Sequence, residues 1–314
     1  MVFFGSGNVD LYHGAETPGE LYDAYHRFAH RHRAEFVHAY DEESAQAAIE
    51  RFTGRDFTAA HGYGGPGEGV GNVLVPRTFY GPGSDFSDDT SARRNADAWM
   101  AWIGANLPDC RTFLYLPDEP REEAYPEVHR FIGFIKESEG PGRTLPLLVT
   151  AGYSPGLDGN NLIDIWCSFY GHYDIERAEV ERNHGDDMWI YNGQRPYGGA
   201  PLLDTPATDL RANIWSCFKH GIPVYFLWHA NHWRHNSQIP DGLERNQNVW
   251  ADPVSYKNKG GSFANGDGCL IYPGEDVIHP GENRGIRGPV SSLRMANLRR
   301  GAQDHLYLTI ARER

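Results

Sequence analysis

Two adjacent acids follow directly on an apolar segment of the chain. The sequence LYLPDEP over residues 114–120 runs from apolar residues into Asp118 and Glu119, which stand between two prolines. In a barrel of parallel strands, the carboxyl end of each strand faces the active site. Two carboxylates placed there repel each other, which favours keeping one protonated as a general acid. The alternative is that both acids open the next helix, where the helix dipole favours negative charge.

Aromatic and polar side chains gather after three other apolar segments. The sequence WHANHW over residues 228–233 combines two indoles, two imidazoles and an amide. Such groups can stack on a sugar ring and hydrogen-bond its hydroxyl groups. Tyr191 and Asn192 at one further strand end, and Tyr170 and His172 at another, are candidates of the same kind. The alternative for the aromatic residues is packing in the core.

The histidines and cysteines give little indication of a metal site. His229, His232 and His235 are close in sequence, but no carboxylate stands at the usual ligand spacing. His26 and His30 are one helical turn apart, as a ligand pair would be, but solvent exposure or packing explains them more simply. Finger-type zinc sites are excluded because no CxxC pair occurs. We expect no metal, and we expect buried thiols, with a disulfide left open, at Cys110, Cys167, Cys217 and Cys269.

Nucleotide cofactors are not indicated either. The segment GYGGPG over residues 62–67 fits the spacing GxGxxG, but Pro66 interrupts it and no helix clearly follows. The sequence contains no GxxxxGK[ST] phosphate loop and no GxSxG nucleophile motif. We therefore interpret residues 62–67 as a loop and expect no cofactor.

The charge balance narrows the choice of partners. The 314 residues carry 29 Lys and Arg against 42 Asp and Glu, a formal net charge of −13. Nucleic acids and anionic membrane surfaces are unlikely partners, because both require clustered basic residues. No apolar run is long enough to cross a bilayer. Residues 1–10 do not resemble a signal peptide, and the localisation stays open: cytoplasmic for the sequence as given, or secreted if a leader precedes it.

Short apolar runs alternate with helical patterns along most of the chain, which predicts an α/β protein. Eight strands with helices between them indicate a single-domain (β/α)8 barrel spanning residues 1–314. Long loops at residues 54–90 and 229–290 would lie at its carboxyl-terminal face. The candidate strands are Val2–Gly5, Glu35–Ala39, Asn72–Pro76, Thr112–Leu116, Leu145–Thr150, Leu162–Trp166, Met188–Tyr191 and Pro223–Trp228. The candidate helices are Thr17–His32, Ser91–Leu107, Glu122–Lys136, Asp174–Asn183, Thr205–His220 and Ser291–Leu308.

In this order, these segments resemble glycoside hydrolase family 123 and its related uncharacterised domains. The resemblance covers most of the chain, and the Asp-Glu pair of LYLPDEP is its most specific element. Three further motifs carry it: WIYNG at residues 189–193, LRANIWSCFKHGIPVYFLWHANHW at 210–233, and the pattern GDG…YPG…LR…LR.G.QD between residues 266 and 304. Family members usually carry an N-terminal β-sandwich, whereas this sequence starts almost at the first candidate strand.

The resemblance implies a (β/α)8 barrel that removes terminal N-acetyl-β-D-galactosamine with retention of configuration. In the family's substrate-assisted mechanism, the sugar's own 2-acetamido group attacks C1 and forms an oxazolinium intermediate. By correspondence, Glu119 would be the acid/base, and Asp118 would orient and stabilise the acetamido group. The residues expected to bind the sugar, by position, are Tyr170, Tyr191, Trp228, Asn231 and Trp233.

Two alternatives remain open at this point. The first is a barrel glycosidase with another sugar specificity, which would use Glu119 as acid and a distant carboxylate such as Asp164 or Asp267. The second is a non-catalytic protein that binds glycans. In each case the expected partner is a glycan or glycoconjugate, and the sequence leaves the oligomeric state open.

Overall fold

The computed structural model describes residues 1–5, 8–17, 19–79, 86, 88–159, 161–235, 245–257 and 263–314. The chain divides into two compact units. The central unit is Val37–Tyr191, and the terminal unit combines Met1–Phe36 with Asn192–Arg314. Parts of both predicted long loops, and Pro18 in the first candidate helix, lie outside the described residues. The predicted extent of a single catalytic domain, 1–314, stays a prediction.

The main sheet contains eight strands. They are β1 (Val2–Phe4), β2 (Glu35–Val37), β3 (Leu74–Thr78), β4 (Arg111–Tyr115), β5 (Leu147–Val149), β6 (Ile165–Phe169), β7 (Asp187–Tyr191) and β8 (Tyr225–Leu227). The helices are α1 (Val9–His13), α2 (Tyr22–Arg31), α3 (Glu42–Ala47), α4 (Ile49–Phe52), α5 (Asp89–Asn106), α6 (Tyr125–Lys136), α7 (Pro155–Asp158), α8 (Ile175–His184), α9 (Thr208–His220) and α10 (Leu293–Arg312). In the described part of the chain, none of the helices has the length and apolar character needed to cross a membrane.

The strand order is that of a (β/α)8 barrel. Hydrogen-bonded neighbours follow the order β2-β1-β8-β7-β6-β5-β4-β3. Within the central unit, β3 through β7 pair in parallel, each with the next along the chain. Parallel neighbours of this kind need a crossover connection, and helices provide it. The predicted fold class is therefore confirmed.

The sixth strand begins later than the sequence suggested. β6 starts at Ile165, three residues after the predicted Leu162. Leu162 and Ile163 belong to the approach to the strand, and the carboxylate of Asp164 accepts the backbone N–H of Leu147 at 2.7 Å. Asp164 therefore lies at the amino end of β6, and Phe169 is the residue at its carboxyl end.

Residues 229–290 contain secondary structure where the sequence indicated only a loop. Three short antiparallel pairs occur there and just beyond. Their strands are β9 (Arg234–His235) with β10 (Arg245–Asn246), β11 (Val254–Lys257) with β12 (Phe263–Asn265), and β13 (Ile271–Pro273) with β14 (Pro289–Ser291). β9 and β10 consist of polar residues, so no apolar run in the sequence marks them.

An apolar core fixes the strands of the central unit. The indoles of Trp99 and Trp166 are fully buried in it, together with Leu147 on β5 and Met188 on β7. Strands buried on both faces are expected to be nearly continuous in apolar residues. Because the strand bodies are fixed in this way, the residues that follow them have defined positions.

The C-terminal motif of the resemblance consists largely of packing residues. The guanidinium of Arg294 is buried and donates to the backbone carbonyls of Pro201, Gly266 and Cys269. A Cβ at Gly301 would lie 2.9 Å from Ile214, so glycine allows α10 to approach α9 closely. These contacts hold the terminal unit together.

Candidate active site

Asp118 and Glu119 follow β4 at its carboxyl end, and both are exposed. The backbone N–H of Leu116 still bonds to the carbonyl of Leu148 at 2.9 Å, so the sheet extends to within two residues of the acids. Glu119 has φ +42°, in the left-handed region that non-glycine residues rarely adopt. Such a conformation costs on the order of 1–3 kcal/mol and is concentrated at functional sites.

Two hydroxyl groups hold the carboxylate of Asp118. Tyr115 Oη donates to Asp118 Oδ1 at 2.6 Å, and Thr150 Oγ1 donates to the same oxygen at 2.7 Å. Burial, followed by the charge of Asp118, raises the pKa of Tyr115, so its phenol keeps its proton. Two donors on one oxygen fix the orientation of the carboxylate.

Glu119 is held at both its backbone and its side chain. Its backbone N–H donates to Thr150 Oγ1 at 2.9 Å. Tyr191 Oη, from the end of β7, donates to Glu119 Oε1 at 2.6 Å. Burial, followed by the hydrogen bond to Glu119, raises the pKa of Tyr191, so this phenol also remains a donor. The carboxylates of the two acids therefore have different hydroxyl donors, while the hydroxyl group of Thr150 contacts both residues.

A cleft of about 750 Å³ opens beside Glu119 within the central unit. The rings of Phe169 and Tyr191 meet edge to face in its wall, with centroids 5.6 Å apart. Such half-buried aromatic rings suit a ligand that has both apolar faces and hydroxyl groups. The side chains that line the cleft include Glu119, Tyr125, Thr150, Tyr153, Phe169, His172, Asp174 and Tyr191.

These residues lie in a part of the chain that matches a known protein family. The family model "Glycoside hydrolase 123, catalytic domain" matches residues 110–311, which is more than half of the chain. The chain belongs to glycoside hydrolase family 123. The resemblance predicted from LYLPDEP and the later motifs is thereby confirmed, and the protein is a glycoside hydrolase by family.

A family 123 member is among the solved structures that are similar to the chain. It is a family 123 glycoside hydrolase from Clostridium perfringens, analysed for the details of glycolipid glycan hydrolysis. The identity is 14% and the TM-score 0.46, with 69% of this chain and 34% of that chain covered. The chain thus spans about a third of that protein's length. No curated protein matches the chain.

Three predicted sugar-binding residues of this family 123 chain lie in the terminal unit. Trp228 is half-buried, and its Nε1 donates to Asp267 Oδ1 at 2.8 Å. Trp233 is fully buried and donates to the carbonyl of Ile271. Asn231 is buried beside Cys269 in an isolated β-bridge. Their contact with a sugar stays a prediction.

The other residues that the sequence suggested for sugar binding lie in or near the cleft, except Asn192, which makes a structural contact. Tyr191 lines the cleft and contacts Glu119, as described above. Tyr170 begins the short 3-10 turn after β6, where its neighbours Phe169 and His172 line the cleft. Asn192 Oδ1 accepts the backbone N–H of Trp228 at 3.2 Å, which ties together the segments that follow β7 and β8. Sugar binding by Tyr170 also stays a prediction.

The histidines after β8 pack against Trp228. His229 and His232 have ring centroids 5.2 Å apart, and both contact the indole. Burial, followed by the neighbouring His232, lowers the pKa of His229 to about 4, so it is neutral near pH 7. In the described part of the chain, the side chains close enough to share a metal ion are Glu181, His184 and Asp186. Glu181 already forms an ion pair with Arg177.

Sequence reasoning did not identify Tyr115, Thr150 and Tyr153 as site residues. Tyr115 and Thr150 stand in or directly after apolar strands, where a hydroxyl group looks like a minor interruption. A rule that examines every hydroxyl at a predicted strand end would have selected both, because all parallel strands end at the same face. Tyr153 comes from the loop after β5, which gave no pattern of its own.

Proposed function

We propose that this family 123 glycoside hydrolase removes terminal N-acetyl-β-D-galactosamine by a retaining, substrate-assisted mechanism. The observation that carries the proposal is the adjacent pair Asp118 and Glu119 at the end of β4, each held by its own hydroxyl donors. Neighbouring backbone positions suit acids that act on neighbouring atoms of one sugar, C1 and C2. A retaining pair that attacks directly instead flanks the bond, about 5–5.5 Å apart.

In the first step, Glu119 acts as the general acid, and Asp118 orients the acetamido group of the sugar. Because Tyr191 donates to Oε1 of Glu119, the catalytic proton would be carried on Oε2 and passed to the leaving oxygen. As the glycosidic bond breaks, the acetamido oxygen bonds to C1. Asp118 accepts the acetamido N–H and stabilises the positive charge of the oxazolinium ring.

In the second step, Glu119 acts as a base. It takes a proton from water, whose oxygen attacks C1 while the bond from C1 to the acetamido oxygen breaks. The sugar leaves with the configuration it had in the substrate, and Glu119 is protonated again. Tyr191 would orient Glu119 in both steps, and Tyr170, Trp228, Asn231 and Trp233 are kept as predicted sugar contacts.

The alternative of a distant carboxylate nucleophile finds little support. Asp164 lies at the amino end of β6, opposite to the end of β4 that carries Asp118, and it pairs with Lys136 at 2.7 Å. Asp267 is buried and accepts the indole N–H of Trp228. Both carboxylates have structural partners.

The test measures hydrolysis of an aryl N-acetyl-β-D-galactosaminide by wild type, Glu119→Gln and Asp118→Asn. We expect both variants to lose activity while the exposed control Glu122→Gln retains it. A thiazoline analogue of the intermediate should inhibit the wild type competitively. Full activity in either Glu119→Gln or Asp118→Asn would contradict the proposal. Glycan binding by calorimetry without turnover of any glycoside would instead favour a binding protein.

A further inference from the structure

The side chain of Thr150 lies at the junction of the two candidate catalytic acids. Thr150 directly follows β5 and is buried, with 4% of its surface exposed. Its Oγ1 accepts the backbone N–H of Glu119 at 2.9 Å and donates to Asp118 Oδ1 at 2.7 Å. A single hydroxyl group on one strand end therefore contacts both acids that follow the neighbouring strand.

The chemistry of a hydroxyl group sets the direction of both contacts. It carries one proton and two lone pairs. The amide of Glu119 can only donate, so it occupies a lone pair, and the proton of Thr150 points to Asp118. Valine has the same shape as threonine and can form neither bond, whereas serine can form both.

These contacts bear on the two features that the proposed mechanism needs. The bond to the Glu119 amide holds a backbone at φ +42°, from which the side chain of Glu119 reaches the cleft. The bond to Asp118 fixes Oδ1, and the direction of Oδ2 follows from it. Tyr115 supports Oδ1 as well, but in the described contacts it does not reach the Glu119 amide.

We propose that Thr150 is a positioning residue, whose hydroxyl group holds Asp118 and Glu119 in the orientations that substrate-assisted hydrolysis requires. This inference rests on the proposed function. It assigns Thr150 no contact with the reacting atoms. Its effect should therefore appear in kcat, through the geometry of both acids, rather than in substrate affinity.

The experiment compares Thr150→Val, Thr150→Ser and Thr150→Ala with a matched control, Thr112→Val. Thr112 is also buried; its Oγ1 accepts the Trp99 indole N–H and donates to the carbonyl of Val75, both at 2.7 Å. Removing this second hydroxyl should lower the melting temperature and leave kcat unchanged. Two substrates are used: an aryl N-acetyl-β-D-galactosaminide and a disaccharide that ends in the same β-linked sugar.

Thr150→Val should lower kcat for the aryl substrate by about 10- to 100-fold, as expected for a misplaced catalytic group. KM should change by less than about threefold, because ground-state binding is not altered. The loss should be larger for the disaccharide, whose leaving group depends more on protonation by Glu119. Thr150→Ser should restore most of the activity.

Several results would overturn the inference. They are wild-type kcat in Thr150→Val, equal losses in Thr150→Ser and Thr150→Val, or an equal loss of kcat in Thr112→Val. If Thr150→Val does not fold, the Ser and Ala variants decide, because they differ by the hydroxyl group alone. A higher kcat for Ser supports the inference, and equal kcat values contradict it. An inactive wild type would overturn the proposed function itself, and the inference with it.

Discussion

Two groups of acidic residues in the central unit differ in almost every physical respect. Asp118 and Glu119 are exposed and held by neutral hydroxyl donors, and Glu119 lines a cleft. Asp158, Glu181 and the half-buried Asp186 form a second group, the buried acid cluster, in which Glu181 has no exposed surface. Burial, followed by a hydrogen bond and repulsion from Glu181, raises the pKa of Asp186 to about 7.

A raised pKa by itself does not identify a catalytic acid. In the buried acid cluster, desolvation and repulsion between like charges produce the shift, and Arg177 offsets part of the charge of Glu181. No residue of this cluster lines the cleft beside Glu119. Glu119 at the end of β4 has both a cleft beside it and a strained backbone, which is the combination expected of a functional site.

The largest expected effect separates the two groups by activity. Glu119→Gln removes the proton donor and should lower kcat for an aryl N-acetyl-β-D-galactosaminide by about 10²- to 10⁴-fold. The melting temperature should stay close to that of wild type, because Glu119 is exposed. In the buried acid cluster, Glu181→Gln should leave kcat unchanged in the folded protein. A large loss of kcat in Glu181→Gln would show instead that the buried acid cluster contributes to catalysis.

The next largest effect is expected on the free energy of unfolding, in the buried acid cluster. Arg177→Met would leave the fully buried carboxylate of Glu181 without its cation, which should lower the free energy of unfolding by about 3 kcal/mol. Urea denaturation measures this change. The control is Arg182→Met on the same helix, where the guanidinium bonds to the neutral phenol of Tyr173 at 3.3 Å. Equal stability of Arg177→Met and wild type would contradict a structural role for the ion pair.

A smaller effect is expected from the phenol that orients Glu119. Tyr191→Phe removes the donor to Oε1 and should reduce kcat about tenfold, the typical result of losing one hydrogen bond to a charged group. Tyr173→Phe is the matched control, because it also removes a phenol that is bonded to a charged side chain. Steady-state kinetics of both variants would test the role of Tyr191. Equal kcat values in Tyr191→Phe and Tyr173→Phe would contradict that role.

The smallest effect concerns the pH dependence of stability. Asp186 binds its proton more tightly in the folded chain than at its ordinary pKa of 3.8. Its contribution to stability is therefore greatest below pH 4 and declines as the pH rises toward 7. Asp186→Asn should stabilise the protein at pH 8 relative to wild type by about 1–2 kcal/mol, and at pH 4 much less. Denaturation at the two pH values checks this, and an equal effect at both would contradict the raised pKa.

Apolar patterns predicted the strands well but not all of their limits. All eight predicted strands of the sheet are present, because buried parallel strands leave dense apolar runs in the sequence. The pattern predicts the start of β6 three residues too early, because Leu162 and Ile163 are as apolar as the strand itself. The sequence does not indicate the strand pairs between residues 234 and 291, because β9 and β10 are polar and the pairing of all three is tertiary.

In the candidate site, too, a local sequence pattern marks some residues, while other contacts depend on the tertiary structure. Asp118 and Glu119 could be selected because an apolar strand leads directly into two acids, a local pattern. The contacts of Thr150 and Tyr191 with these acids join β5 and β7 to β4, and no spacing along the chain records such a contact. The burial of Trp233 likewise depends on tertiary packing against Tyr12, with ring centroids 4.9 Å apart.

The most direct measurement compares wild-type hydrolysis of two aryl glycosides that differ only at C2. One is an aryl N-acetyl-β-D-galactosaminide and the other is the aryl β-D-galactoside, which lacks the acetamido group. If Asp118 and Glu119 act through that group, the first substrate is hydrolysed and the second is not. Comparable hydrolysis of the galactoside would show that the enzyme supplies its own nucleophile and would contradict the substrate-assisted mechanism.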